Sequence, residues 1–369
     1  MRVALDVSAI PARPVGAGVY VLRLAGALGG VAGIDLHLLS GSADAARWRA
    51  AAPGATVHPE APAPRVARLA WEQVLAPRVA RRIEADVWHG PHYTMPLLDI
   101  PPGRRRPPSV VTVHDLTLIE HPEWHERSKV LFFGAMIRAA ARRADVLVCV
   151  SPHTARRLRA RLEPRSPVVV VPHGVDHGRF RPEGPAGDDD RLAAVGVRPP
   201  FVAFVGTIEP RKGVATLVAA FRRLARPGLQ LVLAGRHGWG APAPEADGIV
   251  RLDYVADDLV PALFRRAAAV AYPSLEEGFG LPALEALACG AALVTTMGSA
   301  MQDVVDDAAL LVPPGDEAAL TSALEALLDG GPEVGRLRRR GPEVAAPYTW
   351  AASAEGHGAA YRLAMAARS

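Results

Sequence analysis

At 369 residues, with 50% hydrophobic and 22% charged side chains, the chain has the composition of a folded globular protein and a length that suits two domains better than one. Its 42 basic and 38 acidic residues are interspersed and leave a net charge of only +4, which argues against a nucleic-acid surface despite a pI near 9.4. Two cysteines, Cys149 and Cys289, are too few for a disulfide framework, and no apolar run nears the roughly 18 residues of a membrane span.

The opening MRVALDVSAI reads as a first strand, lacking the basic start and long apolar core of a secretory leader, so a cytoplasmic setting is expected. Strand-like runs follow from Asp35 (DLHLLS), Val87 (VWHG), Ser109 (SVVTVHD), Asp145 (DVLVCVS) and Pro167 (PVVVVP), with helical patterns filling most of the gaps. One such helix runs through SKVLFFGAMIRAAARRA from Ser128, with Ser128 as its expected N-cap and a basic last turn that suits the dipole. Two basic stretches, RVARLAWEQVLAPRVARR from Arg65 and TARRLRARL from Thr154, have the character of helices that can rest on an anionic bilayer, so peripheral contact with the inner membrane face is a secondary expectation.

Strands alternating with helices predict an α/β protein with parallel sheets. Residues 1–172 form the expected first domain. The stretch 173–199, dense in Gly, Pro and charge, reads as a linker. Residues 200–349 form the second domain, opening on FVAFVG, a helix with Val214, Leu217, Val218, Phe221 and Leu224 on one face, and LQLVLAG. Helices from Asp257, Leu281 and Asp316 and strands AVAYPS from Ala269 and ALVTT from Ala292 continue the alternation. A break is expected at Pro342 to Pro347, before a last helix in 350–369 anchored by Tyr361, Leu363 and Met365.

Open α/β sheets bind ligands beyond the carboxyl ends of their strands, which directs attention to the residues following each strand. The most specific of these segments is SLEEGFGLPALEALACG from Ser274. Gly278 and Gly280 permit close backbone approach, Pro282 suits a first helical turn, and the amides around Phe279 to Leu281 would face an anion. Glu285 stands one turn into that helix, able to accept hydrogen bonds from a diol, and Glu277 lies before it. Two acidic residues favoured by the helix dipole would explain the same pattern without a ligand.

The turn GTIEPRKG from Gly206 sets Arg211 and Lys212 at a helix start, where cations are disfavoured unless an anion such as a diphosphate binds; a solvated basic turn is the alternative. In the first half, His114 and Asp115 end an apolar strand, where they could meet a sugar or simply cap the sheet edge. Gly16 and Gly18 make only GxG, because Val21 occupies the third position of a dinucleotide fingerprint. Asp188 to Asp190 imitate a metal-binding DxD but follow no strand. With no metal-ligand spacing elsewhere, no metal and no cofactor are expected.

Taken together, these segments resemble glycosyltransferase family 4, retaining enzymes of GT-B fold, over nearly the whole chain. Glu277 and Glu285 match its Glu, seven residues, Glu signature, and EPRKG at Glu209 to Gly213 resembles its donor-phosphate motif. GAGVY at Gly16, HGPHYTMPL at His89, VTVHDLTLIEHPEW at Val111, RADVLVCVSPHTARRL at Arg143, VPHGVD at Val171 and DAALLVPP at Asp307 are also similar. The resemblance implies two Rossmann-like domains facing a central cleft, with the last helix crossing back onto the first. It implies that Arg211 and Lys212 hold a donor diphosphate, Glu285 the ribose, and Glu277 with Gly206 and the Gly278, Phe279, Gly280 and Leu281 segment the donor sugar and phosphates. Gly18 would approach the phosphates, His114 the anomeric carbon, and Gly16, His89 and Asp115 the acceptor side. Departures from the family pattern fall at His173, at SAMQDVV from Ser299 and at Asp253, which leaves the nucleobase open.

The implied reaction moves a hexosyl group from a nucleoside-diphosphate sugar to a glycan, lipid-linked or small-molecule acceptor with retention, without a metal, and with cations and helix amides carrying the growing diphosphate charge. GDP-mannose is the first expectation for the donor, and assembly of a cell-surface polysaccharide for the setting. A sugar-nucleotide epimerase and a non-catalytic sugar-nucleotide-binding module remain as alternatives. A glycoside hydrolase pair of carboxylates is disfavoured by the adjacent cations.

Overall fold

The computed structural model describes residues 1–98, 106–240, 247–253 and 255–368. The chain divides into two compact units: Met1–Gly174 together with the C-terminal helix, and Val175–Thr349.

In the first unit, β1 (Arg2–Asp6), α1 (Ala17–Leu28), β2 (Asp35–Gly41), α2 (Ala45–Ala51) and β3 (Thr56–Ala61) wind to one side. α3 (Arg65–Val74), α4 (Ala76–Arg82), β4 (Val87–Gly90), β5 (Ser109–Val113), α5 (Thr117–Glu120), α6 (Arg127–Arg143), β6 (Val146–Cys149), α7 (Pro152–Leu162) and β7 (Val168–Val170) wind to the other. All pair in parallel in the order β3-β2-β1-β4-β5-β6-β7. Runs such as VVTV and VLVC are buried throughout because a parallel sheet is covered on both faces. The order reverses between β1 and β4, the kind of switch point beyond whose carboxyl edge open α/β sheets bind ligands.

The second unit repeats the plan. α8 (Asp188–Ala193), β8 (Phe201–Val205), α9 (Val214–Leu224), β9 (Gln230–Ala234), β10 (Ile249–Leu252), α10 (Val260–Arg266), β11 (Ala269–Tyr272), α11 (Leu281–Ala288), β12 (Leu293–Thr296), α12 (Ala300–Val305), β13 (Ala309–Val312), α13 (Glu317–Asp329) and α14 (Pro332–Ala345) follow in order. Its six strands are parallel, β10-β9-β8-β11-β12-β13, with the reversal between β8 and β11. On α9, Val214, Leu217, Val218, Phe221 and Leu224 are all buried, as their helical spacing requires.

Several sequence expectations are corrected. The strands not anticipated, β3, β10 and β13, all lie at sheet edges and are only partly buried; Pro59 interrupts the pattern in β3 and Arg251 in β10, whereas β13 is four apolar residues, ALLV, too short a run to stand out. Residues 173–199 are no free linker. Val175 onward belongs to the second unit, Leu192 is buried, and Asp188 forms two hydrogen bonds with Arg265 of α10 at 2.8 and 3.2 Å. Ser128 is not the cap of α6, which starts at Arg127 after Glu126. Pro342 lies inside α14, whose packing on α11 is close enough that a Cβ at Gly341 would stand 2.9 Å from the Leu287 carbonyl oxygen; tertiary contact overrides the local breaker.

The last helix, α15 (Trp350–Ala366), packs on the first unit, with Ala354, Ala360, Tyr361 and Ala364 in the core around α1 and the central strands. Met365 packs against the same cluster, but Leu363 is 39% exposed and does not anchor the helix.

Candidate functional site

The second unit's switch point is flanked by the loops that leave β8 and β11, and these are the two charged segments singled out in the sequence. Beyond β8, a short 3-10 turn carries Pro210–Lys212 and ends at Gly213, whose φ of +66° and whose absent Cβ, which would lie 2.0 Å from the Pro273 carbonyl oxygen, allow the turn to press against the end of β11. The Leu275 amide donates to the Arg211 carbonyl at 2.8 Å, which joins the two loops. Beyond β11, Gly280 at φ +92° precedes α11, whose start no side chain caps, with Pro282 in the first turn. Glu285 is half-buried on α11.

Arg211, Lys212 and Glu277 meet directly. Lys212 Nζ donates to Glu277 Oε1, Arg211 donates to Glu277 Oε2 at 3.3 Å, and Ser274 Oγ donates to Oε1 at 2.9 Å. Arg211 also donates to Glu209 at 3.2 Å. Burial alone would raise the Glu277 pKa, but Lys212 and Arg211 overcome it and hold the carboxyl down at about 2. Burial lowers the Lys212 pKa, and Glu277 opposes that shift. Sequence reasoning did not assign a role to Glu209 or Ser274. Both are small additions to segments already marked, Ser274 by its place directly after a strand.

In the first unit, β5 delivers His114 to the carboxyl edge, buried and edge-on to the Tyr20 ring at 5.0 Å. A carbonyl can only accept, so His114 Nε2–H donates to the Pro91 oxygen at 2.8 Å, and in the neutral ring Nδ1 is left as the acceptor. Burial lowers the His114 pKa and keeps the ring neutral. Asp115 Oδ1 accepts from the Thr117 amide at 3.0 Å and its hydroxyl at 2.8 Å, so one carboxylate oxygen shapes the turn into α5.

Gly16 has φ +51° before α1, with no atom within 4 Å of the position its Cβ would take. At Gly18, in the first turn of α1, a Cβ would stand 2.9 Å from Cβ of Pro14 in the preceding loop, a local packing reason for glycine.

His89 is a correction. It is fully buried, with both ring nitrogens engaged, and it belongs to the core instead of an acceptor face. The hydrogen bonds around it have a determined direction. His357 Nδ1–H donates to the Ser353 carbonyl, so Nε2 accepts from the Tyr20 hydroxyl at 2.8 Å. Tyr20 then accepts from Thr112 at 3.0 Å, Thr112 accepts from His89 Nε2–H, and His89 Nδ1 accepts from the Tyr361 hydroxyl, each of the last two at 2.8 Å. The chain begins and ends on α15. Desolvation holds His89 and His173 neutral and pushes His92 down to about 3 and His357 to about 4. His92, His173 and His357 were not assigned from sequence, since a lone histidine outside a metal spacing carries no signal there.

Two of the three carboxylates of the Asp188–Asp190 run are ion-paired: Asp188 with Arg265, and Asp189 with Arg266 at 2.6 Å. Among the described residues, no group of three or more His, Cys, Asp or Glu is arranged to hold a metal ion, and no helix is long and apolar enough to cross a membrane.

Residues 14–179 match Glycosyltransferase Family 4, and residues 199–330 match Glycosyl transferases group 1. The chain is 28% identical over 260 residues to an O-antigen chain mannosyltransferase B of Escherichia coli, a match covering 66% of this chain and 65% of the relative. It is 32% identical over 215 residues to a D-inositol 3-phosphate glycosyltransferase of Segniliparus rotundus, covering 54% of this chain and 47% of that one. The matches thus span less than two thirds of these relatives' own lengths. Among solved structures, a sucrose-phosphate synthase of Thermosynechococcus elongatus superposes with a TM-score of 0.77 over 98% of both chains at 22% identity, a likeness of fold.

Proposed function

The chain belongs to the group 1, family 4 glycosyltransferases of GT-B fold, and we propose that it moves a hexosyl group, mannosyl first among the candidates, from a nucleoside-diphosphate sugar to an acceptor hydroxyl with retention at the anomeric carbon. The observation that carries this reading is the joining of Arg211, Lys212, Glu277 and the uncapped start of α11 at the switch point of the second sheet. Two cations and a helix start placed at the carboxyl ends of parallel strands suit a diphosphate, and they stabilise it most when its charge grows as the glycosidic bond breaks. Glu285 takes the ribose hydroxyls, and Gly206 and the Gly278 to Leu281 segment the phosphates and sugar.

His114, neutral and with Nδ1 as acceptor, is assigned to the reacting sugar by the family resemblance, with Asp115 and Gly16 toward the acceptor and Gly18 toward the phosphates. The acceptor oxygen attacks the anomeric carbon as the carbon–oxygen bond to the diphosphate breaks, and the leaving phosphate oxygen takes the acceptor proton. No metal is assigned a part, since Arg211, Lys212 and the helix amides meet the charge. Mannose is favoured by the name of the Escherichia coli relative, and O-antigen chain assembly in that relative supports a surface-polysaccharide acceptor. A lipid-linked acceptor would bring the chain to the inner membrane face, where the basic helices α3 and α7 would meet anionic lipid.

The test is acceptor-dependent release of nucleoside diphosphate from GDP-mannose, with UDP- and ADP-sugars in parallel. Release only with acceptor supports a transferase. Conversion of donor without acceptor would make the chain an epimerase, and binding without turnover a sugar-nucleotide-binding module.

A further inference from the structure

We propose, resting on the donor-site reading above, that Glu277 is an internal counter-anion that competes with diphosphate for Lys212 and Arg211 and so makes the site prefer the intact donor over the spent nucleotide. The charges at the switch point are already balanced within the protein: Arg211 and Lys212 face Glu277, and Arg211 also faces Glu209. The cluster is poorly exposed, with the side chains of Arg211, Lys212 and Glu277 at 18%, 15% and 11%. An incoming diphosphate therefore meets a neutralised cation pair. It must either crowd a third anion into a dry site or displace the Glu277 carboxylate.

Displacement is open to the side chain. The Glu277 backbone carbonyl is held by the Ala300 amide at 3.2 Å, while its carboxylate rests on Lys212, Arg211 and Ser274. A displaced carboxylate needs new hydrogen-bond donors, because leaving it unsatisfied in a buried setting is costly. The hexosyl group of an intact donor carries several hydroxyls that can donate. A free nucleoside diphosphate ends in an ionised phosphate that cannot. The sugar thus compensates the displaced carboxylate, and once it has been transferred Glu277 returns to Lys212 and weakens the hold on the product. This makes Glu277 a discriminating residue that acts through the cations as well as on the sugar, and it limits product inhibition.

The experiment uses the full chain and compares wild type with Glu277→Gln, Glu277→Asp and Glu209→Gln, with circular dichroism and melting to confirm folding. Calorimetry with GDP, UDP, ADP and inorganic pyrophosphate is set beside binding of the matching nucleotide sugars. Glu277→Gln should bind the preferred nucleoside diphosphate and pyrophosphate at least about tenfold more tightly, as expected for removal of one close like charge from a poorly solvated site. It should gain nothing for the intact donor and should show correspondingly stronger product inhibition. Glu277→Asp, whose shorter carboxylate reaches Lys212 less well, should fall between. Glu209→Gln should shift donor and product alike. Equal gains for donor and product in Glu277→Gln would reduce the effect to through-space charge and overturn the inference while leaving the donor site standing, as would no gain for either. Absence of diphosphate binding to wild type and variants alike would overturn both readings.

Discussion

The two units share one strand order, which the first extends by a seventh strand, and treat charge in opposite ways. At the switch point of the second sheet, two cations and two carboxylates meet in a nearly dry cluster, and Glu277 stays ionised down to about pH 2. Around the carboxyl edge of the first sheet, His89, His114, His173 and His357 are buried and His92 is half-buried, all held neutral and threaded by Tyr20, Thr112 and Tyr361. The fold supplies a reversal of strand order in both places. The side chains beyond the strands differ: an ion-paired cluster in one, neutral histidines and hydroxyls in the other. A strand order that reverses is thus a scaffold, and the residues beyond the strands set its local electrostatics.

The strongest way to break this comparison is Lys212→Ala. On the proposed reaction it would remove a cation from the leaving diphosphate, and it should cut turnover by roughly two to four powers of ten, with some loss of donor affinity. Wild-type turnover in that variant would leave the basic pair a structural partner of Glu277 with no part in the reaction. His114→Ala should be milder, lowering turnover by roughly a hundredfold and donor affinity far less, because its proposed contact would tighten in the transition state. Collapse of donor affinity with unchanged turnover would make His114 a binding residue. Glu285→Ala should act mainly on donor KM, by roughly ten- to hundredfold, since ribose hydrogen bonds do not change during the chemistry. Steady-state kinetics on the three variants separates these outcomes.

Acid sharpens the comparison further. A buried histidine whose pKa is depressed to about 3 or 4 binds no proton in the folded state while the unfolded chain takes one up below its ordinary value of about 6.5. Stability is therefore intact above that value and falls as pH drops toward the folded pKa. His92 and His357 should each cost about 2 kcal/mol at pH 5. Glu72, also in the first unit and pushed up to about 8 by burial, works in the opposite sense and offsets about one histidine. Glu277 remains ionised at that pH. Hydrogen exchange at pH 7 and pH 5 should show the first unit loosening well before the second. Equal loosening would mean that the histidine network is not the acid-sensitive part. The smallest expected effect is that of EDTA, which should leave turnover within about twofold if side chains and helix amides carry the charge as proposed. Loss on chelation with recovery on added magnesium would overturn that assignment.

Much of the architecture was legible in the residues. Continuous apolar runs marked the buried central strands, the 3.6-residue spacing marked α9, and glycines with charges directly after strands marked the loops that the second sheet's switch point brings together. Glu277, Lys212 and Arg211 were all named from their sequence positions. That they form one ion-paired cluster was not readable, because the contact joins loops some 65 residues apart and depends on a glycine pressed against a carbonyl. His89 looked like a site residue because it ends a strand, yet α15, more than 250 residues later, seals it into the core through Tyr361. The edge strands, the helix through Pro342 and the pairing of Asp188 with Arg265 were decided in the same way, by neighbours distant in the chain. Local pattern determines which segments are strand, helix or ligand loop, because periodicity and backbone freedom are properties of adjacent residues. Which polar groups are buried, paired and kept charged or neutral is set by desolvation and Coulomb contact, and those exist only once the chain has closed on itself.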